Sequence, residues 1–70
     1  MLDKQILKLS KLCEHWANHN ESHKESYIKW RDIAREQLNL LTVVEKLDKA
    51  IEMMDKSTEF LLSARKDLEM

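Results

Sequence analysis

Residues that are mostly apolar, with polar exceptions such as Asn20 and His23, recur along the chain at alternating intervals of three and four, the heptad spacing of helices that pack along one face. In the first half, this row consists of Leu2, Ile6, Leu9, Cys13, Trp16, Asn20, His23, Tyr27, Trp30, Ala34, Gln37 and Leu41. In the second half, it consists of Leu40, Val44, Leu47, Ile51, Met54, Thr58, Leu61, Arg65 and Leu68. The two rows are out of phase where they meet, which predicts a turn between two helices.

The predicted turn covers about residues 39–42. Asn39 is suited to the left-handed conformation that ends a helix, and Thr42 to Glu45 has the spacing of a capping box that begins one. We therefore predict helix one at about 3–38 and helix two at about 43–69. The fold class is all-α: residues 1–70 form a single domain, a long antiparallel helical hairpin.

Folding the chain back at the turn predicts which residues lie level with each other. His23 comes level with Met54 and Thr58, and Trp16 comes level with Ala64 and Arg65. Helix one is the longer of the two, so its first turns have no partner within the chain.

A three-helix layout is the alternative. Ser22 to Glu25 also has capping-box spacing, and Asn18 and Asn20 are weak helix formers. The heptad row nevertheless passes from Cys13 to Tyr27 without a skipped position, and the chain contains no Gly or Pro to enforce a stop. The pattern favours one continuous helix.

A chain of 70 residues can bury only a small core, so such domains commonly need a metal, a disulfide or a partner. The unpaired first turns of helix one would leave an apolar stripe exposed, formed by Leu2, Ile6, Leu9 and Leu12. Proteins normally cover such a stripe by association. We therefore predict a homodimer that forms a coiled coil or a four-helix bundle.

Charge excludes several classes of partner. Charged residues make up 36% of the chain, but 12 Lys and Arg are balanced by 13 Asp and Glu. A chain with no basic excess is not expected to bind nucleic acid or an anionic membrane surface.

No apolar run approaches the roughly 18 residues of a spanning helix, and the N-terminus lacks a signal-peptide core. We expect a cytoplasmic protein, and the single cysteine agrees with a reducing compartment.

All three histidines of the chain occur at four-residue spacing, as His15, His19 and His23. Residues four apart lie on one face of a helix, so neighbouring imidazoles can bind one metal ion. A helix rises about 1.5 Å per residue, which separates His15 from His23 by about 12 Å. One ion is therefore expected to take an adjacent pair, with further ligands from a second protomer, the third histidine or water. Imidazole suits Ni(II), Zn(II) and Cu(II) alike.

A structural interpretation of the same residues stays open. In it, Asn20 fixes the register of a dimer, His23 is hydrogen-bonded across the bundle, and His15 is a surface residue. In this structural interpretation, the protein is a helical dimerisation module with no metal role.

Cys13, two residues before His15, has two possible roles. It either packs as a small apolar residue or supplies an extra thiolate ligand to a metal ion.

The pattern His-Trp-x2-His-x3-His, present as His15, Trp16, His19 and His23, resembles the signature of the nickel-binding accessory proteins of carbon monoxide dehydrogenase maturation. Members of that family are helical, coiled-coil homodimers with a Ni(II) site near the dimer interface. The resemblance implies that the three histidines are Ni(II) ligands, that Trp16 and Asn20 pack beside them, and that the protein is a metallochaperone. The implied partner is a nickel enzyme such as carbon monoxide dehydrogenase.

The resemblance has a limit. Accessory proteins of this kind can carry a histidine-rich tail that stores nickel, whereas this sequence ends Arg65-Lys66-Asp67-Leu68-Glu69-Met70. A single site used for delivery or sensing is therefore the part that carries over.

Catalysis is not expected. The histidine segment lacks the His-Glu-x2-His arrangement that adds a general base to a zinc site. The chain has no glycine, and so no glycine-rich loop for phosphate. We predict that the protein is not an enzyme.

Overall fold

The computed structural model describes residues 3–69 and contains two helices, α1 (Lys4–Glu36) and α2 (Leu41–Asp67). They pack antiparallel as a hairpin with Cα extents of 57 × 14 × 11 Å. The predicted all-α hairpin is confirmed, with helix bounds within a few residues of those expected. α1 runs without interruption through Asn18 to Ser22, so the three-helix alternative is wrong.

Side-chain and backbone caps define the ends of α1. The Asp3 carboxylate accepts a hydrogen bond from the backbone N–H of Gln5 at 2.7 Å, which satisfies one free donor of the first turn. At the other end, the N–H of Gln37 donates to the Ile33 carbonyl at 2.9 Å. Asn39 has a φ of 53°, the predicted left-handed conformation, and reverses the chain direction.

The start of α2 differs from the prediction. Leu40 occupies the N-cap position, no side chain caps the helix, and α2 already begins at Leu41. Because the reversal at Asn39 is completed within one residue, Thr42 lies inside the first turn instead of before it. A residue already in helical conformation cannot serve as the N-cap. The expected capping box at Thr42 and Glu45 is therefore wrong.

The predicted apolar row of α2 faces α1. From Val44 to Leu68, every member of the row is buried or half-buried. Leu40, which precedes the helix, is exposed. The heptad pattern therefore located the packing face of α2 correctly.

Only some members of the predicted row of α1 face α2. Cys13, Asn20, Tyr27 and Ala34 do lie toward α2, as expected, but Leu9, Trp16, His23 and Trp30 are exposed. Four residues one position further along complete the contact instead: Ser10, Ala17, Lys24 and Arg31. The reason is steric, because small residues such as Cys13 and Ala17 let the helices approach closely, whereas two tryptophans in the same row would force them apart.

Polar contacts set the register of the hairpin. Asn20 Nδ2 donates to Ser57 Oγ at 3.0 Å, and Lys24 Nζ donates to Asp55 Oδ1 at 2.7 Å. These contacts bracket His23 and place it level with the segment from Met54 to Thr58, as the fold-back predicted. Further along, Arg65 pairs with Glu14 at 3.2 Å.

The hairpin has little core of its own. Within residues 3–69, the buried apolar side chains are Cys13, Ala17, Ala34 and Val44, and no large side chain is fully buried. Large apolar residues are instead exposed along the length of both helices, among them Phe60 at 74%. Neither helix in the described range is both long and apolar enough to cross a membrane.

The turn offers a direct test of this geometry. An L-residue with a Cβ pays a steric penalty at positive φ that glycine avoids, and Asn tolerates the conformation better than Ala. We expect Asn39→Ala to be less stable than Asn39→Gly by about 1 kcal/mol. Urea unfolding followed by circular dichroism at one fixed protein concentration measures the difference. Equal stability of the two variants would contradict the left-handed turn.

Candidate metal centre

The continuous α1 stacks the three histidines along one side of the helix. The ring centroids of His15 and His19 are 6.1 Å apart with nearly parallel planes, at 20°. The rings of His19 and His23 are closer, with centroids 4.4 Å apart and perpendicular planes. The four-residue spacing therefore produces a column of imidazoles, as the sequence predicted, but the two steps of the column differ.

His19 and His23 bring two ring nitrogens together. Their Nε2 atoms are 2.9 Å apart, which is the length of an ordinary hydrogen bond. One Nε2 must then carry a proton and the other must present its lone pair. Both Nε2 atoms can bind a metal ion once the donating ring carries its proton on Nδ1 instead.

The same separation fits two ligands of one metal ion. With metal–nitrogen distances of about 2.0 to 2.1 Å, two nitrogens at 90° around an ion lie about 2.9 Å apart, whereas a tetrahedral pair lies about 3.3 Å apart. The observed 2.9 Å matches the right-angled arrangement found in square-planar and octahedral sites. His19 and His23 therefore fit the two-imidazole part of a metal site.

His15 does not join the pair. Its ring is stacked at a distance from His19 and lines an open groove of about 480 Å³ on the outer side of α1, together with Lys4, Leu7, Lys8, Lys11 and Leu12. Over residues 3–69, no three side chains of His, Cys, Asp or Glu come close enough together to hold one ion. The structure thus unites two of the three predicted ligands.

The other predicted site residues have distinct positions. Trp16 is 43% exposed, one turn before Asn20. Asn20 donates a hydrogen bond to Ser57 across the hairpin, so it fixes the register of the two helices within one chain. Cys13 is 4% exposed and faces α2, a position that favours packing over metal binding.

Tyr27 extends the column by one more turn. Its ring centroid lies 6.2 Å from that of His23, with planes at 27°. Sequence reasoning placed Tyr27 on the helix row but gave it no role at the site. The signal was available, because Tyr27 follows His23 by the same four residues that separate the histidines.

The histidine pair lies on a side of the hairpin that is free of charge for most of its length. On each helix, one row of residues lies next to the packing row, on the side where Asn20 is hydrogen-bonded to Ser57. We call this surface the uncharged face, and it consists of Leu9, Leu12, Trp16, His19, His23, Ser26, Trp30, Ile33, Val43, Ala50, Met53, Ser57, Phe60 and Ala64. Charged residues of these rows occur only at its two ends, as Lys46 and Asp67.

The opposite side carries the ion pairs between the helices. Lys24 meets Asp55, and Arg31 Nη1 meets Asp48 Oδ1 at 2.9 Å. The hydrogen bond that Lys24 donates to Asp55 raises the pKa of Lys24, and the hydrogen bond that Arg31 donates to Asp48 raises the pKa of Arg31. Solvent-exposed pairs of this kind contribute little stability, so their main effect is to keep the two helices in one orientation.

Comparison with known proteins gives a family. The model of a domain of unknown function, DUF8180, matches residues 9–68, and the chain therefore belongs to that family. No curated protein and no solved structure matches the chain.

The contact between His19 and His23 predicts their proton positions. In the metal-free protein with both rings neutral, one ring should carry its proton on Nε2 and the other on Nδ1, because only one proton fits between two Nε2 atoms 2.9 Å apart. Long-range ¹H–¹⁵N NMR correlations distinguish the tautomers, and His15 serves as the internal reference. Finding Nε2–H on both His19 and His23 would contradict the contact.

Proposed function

We propose that this member of the DUF8180 family is a Ni(II)-binding accessory protein, a metallochaperone that holds its ion on the histidine column of α1. The observation that carries the proposal is the convergence of His19 and His23, with Nε2 atoms 2.9 Å apart. The nickel assignment itself rests on the resemblance of His15, Trp16, His19 and His23 to the signature of nickel-binding accessory proteins.

The spacing of the pair does not select the metal, because 2.9 Å is also the hydrogen-bonded distance between two imidazoles. Imidazole ligands suit Ni(II), Zn(II) and Cu(II) alike. Intrinsic affinity should still be highest for Cu(II), since divalent ions follow the Irving–Williams order. Selection of nickel in the cell would then depend on metal supply and not on the ligands alone.

In this proposal, His19 and His23 form the chelating pair, and His15 is an accessory ligand that approaches by rotation of its side chain. A pair of imidazoles on an exposed helix face leaves the remaining positions of an ion open to other donors. Such a site suits a carrier, because a recipient protein can supply ligands before the carrier releases its own. The proposed recipient is a nickel enzyme such as carbon monoxide dehydrogenase, on the strength of the resemblance alone.

We also propose that the protein acts as a homodimer through the uncharged face. The hairpin buries few side chains within itself, while Trp16, Trp30 and Phe60 are exposed on this one side. A groove of about 320 Å³, lined by Asn20, Tyr27, Ala50, Met53, Met54 and Ser57, offers a recess for an apolar side chain of a second copy. Contiguous apolar surface of this kind typically marks an interaction site.

A purely structural dimerisation module is the second candidate. It is favoured by one observation, that 2.9 Å is also the length of a hydrogen bond between two imidazoles. The two candidates differ in their response to metal. A ligand that binds only the folded state raises stability by about 2.7 kcal/mol at a hundredfold excess over its Kd, whereas a structural module would not respond.

Nickel titration of the wild type and three variants tests the proposal. Calorimetry of the metal-free wild type should show specific Ni(II) binding at a fixed ratio per chain, and His19→Ala/His23→Ala should weaken it by about 100-fold or more, because losing even a hydrogen-bond partner of a metal ligand typically costs about 10-fold or more. His15→Ala should weaken it less. Asn18→Ala, an exposed neighbour on the same helix, is the matched control and should bind like the wild type.

Circular dichroism of each variant confirms that helix content is unchanged, so that loss of binding is not loss of folding. Full nickel affinity in the His19→Ala/His23→Ala variant would contradict the assigned site. Absence of specific binding by the wild type would leave the structural module as the function.

A further inference from the structure

The first turns of α1 carry a charge that the overall composition conceals. The longest stretch of the sequence without an acidic residue covers residues 4–13, and it contains the three lysines Lys4, Lys8 and Lys11. Their spacing of four and three residues places them in one row along the helix, and His15 continues this row after four more. A chain whose charges nearly balance overall therefore has one basic row.

The basic row faces away from α2. Cys13 is buried against α2, and a helix turns by about 100° per residue. Lys11 and His15, two positions to either side of Cys13, therefore lie on the opposite side of α1, and Lys4 and Lys8 share that side. All four side chains of the row are exposed.

The acidic residues closest to the row in sequence are engaged elsewhere. The Asp3 carboxylate accepts a hydrogen bond from the backbone of Gln5 at 2.7 Å, and Glu14 pairs with Arg65 at 3.2 Å. The acidic residues at the end of α2 lie across α1 from the row, because the row faces away from α2. Among residues 3–69, none of the three lysines forms an ion pair.

The row lines the open groove of about 480 Å³ on the outer side of α1, which we call the basic groove. Leu7, which is 45% exposed, and the half-buried Leu12 contribute apolar walls. The lysines add their carbon stems to these walls while their charged ends stay in water. The basic groove therefore suits a partner that is acidic and also carries apolar side chains.

We propose that the basic groove docks an acidic helix of another protein. The carboxylates of that helix, at spacings of three and four residues, face Lys4, Lys8 and Lys11, and an apolar side chain between them contacts Leu7. The row rises about 16 Å from Lys4 to His15, a length over which two helices crossing at about 20° stay in contact. Charge complementarity sets the approach and the orientation of the partner. The inference rests on neither the nickel nor the homodimer of the proposed function.

A bilayer and a nucleic acid fit the basic groove less well. Lipid-binding clusters typically have about four to eight basic residues, and non-specific binding of nucleic acid relies on numerous phosphate contacts, whereas this row has three lysines. The other exposed apolar side chains of these turns, Ile6 and Leu9, lie on the α2 side of the helix. A bilayer that received them would leave the lysines pointing away from its surface.

The basic groove ends at the candidate metal centre. His15 lines the groove, and its ring centroid is 6.1 Å from that of His19. If the proposed function also holds, a docked acidic helix brings carboxylates close to the open positions of the ion. Nickel and copper accept oxygen as well as nitrogen ligands, so docking and metal transfer would then be adjacent events.

Fluorescence anisotropy of a labelled synthetic peptide tests the docking. The peptide is a helix of about 20 residues, long enough to form in water, with Glu and Leu on one face at spacings of three and four. A peptide of the same composition in scrambled order is its control. The metal-free wild type should bind the patterned peptide more tightly than the scrambled one, and binding should weaken as salt is raised.

Charge reversal locates the contact. Lys4→Glu/Lys8→Glu/Lys11→Glu should weaken peptide binding by about 10-fold or more, because three attractive pairs become repulsive. The matched control is Lys29→Glu/Lys46→Glu/Lys66→Glu, which makes the same change in net charge at exposed positions elsewhere. At about 0.15 M salt, screening over about 8 Å isolates distant charges, so the control should bind like the wild type.

A leucine pair tests the apolar wall. Leu7 and Leu62 are similarly exposed, at 45% and 46%, but only Leu7 lines the basic groove. Leu7→Ala should therefore weaken peptide binding several-fold, since it removes apolar contact area, while Leu62→Ala should not. Equal effects of the two substitutions would contradict a docked helix.

Three further results would overturn the proposal: no binding by the wild type, equal binding of the scrambled peptide, or equal loss in the two lysine variants. Tighter binding to phosphatidylserine vesicles or to duplex RNA than to the peptide, lost in the groove variant, would also overturn it and assign the row to that ligand. Circular dichroism checks that the variants fold, which is expected because Glu in the first turns of a helix favours its dipole. Since nickel is absent throughout, this result and the nickel titration can fail separately.

Discussion

The structure depends on one constraint: two packed helices share a single line of contact. That contact is too narrow to bury all the apolar side chains that the two helices carry. Each helix offers one packed row to the other, and that row is filled on α1 by small residues and by the stems of Lys24 and Arg31. The close approach that Cys13 and Ala17 permit leaves no space for Trp16 or Trp30, which is 57% exposed. The largest exposed aromatic side chains, Trp16, Trp30 and Phe60, therefore lie on one side of the hairpin.

The division of the hairpin into a charged and an uncharged side explains where the histidines lie. Inter-helix ion pairs involving Lys24 and Arg31 occupy one side and orient the helices, while the hydrogen bond from Asn20 to Ser57 marks the other. His19 and His23 lie on that second side, beside the tryptophans and Phe60. In the proposed dimer, the same surface both holds the two copies together and carries the ligands. Folding, association and metal binding would then depend on one set of residues.

Much of the fold was predictable because its signals are local. The phase break of the heptad rows located the turn, Asn39 adopted the expected left-handed conformation, and the row from Val44 to Leu68 packed as predicted. The packing row of α1 was not predictable in the same way, because polar Ser10, Lys24 and Arg31 occupy packed positions while Leu9, Trp16 and Trp30 are exposed, the reverse of the pattern that apolar periodicity detects. Spacing placed the three histidines in one column, but it could not show that His19 and His23 touch while His15 turns to the outer side. Side-chain rotation decides that difference, and it has no signature in sequence.

The central proposal is that a second copy of the chain covers the uncharged face. Sedimentation equilibrium of the metal-free wild type, compared with Phe60→Glu and the matched control Leu62→Glu, tests it most directly, because both residues are exposed on α2 but only Phe60 belongs to that face. The account predicts a mass twice that of the 8.4 kDa chain for the wild type and for Leu62→Glu, with a shift toward monomer for Phe60→Glu. A monomeric wild type, or equal dissociation of the two variants, would contradict it.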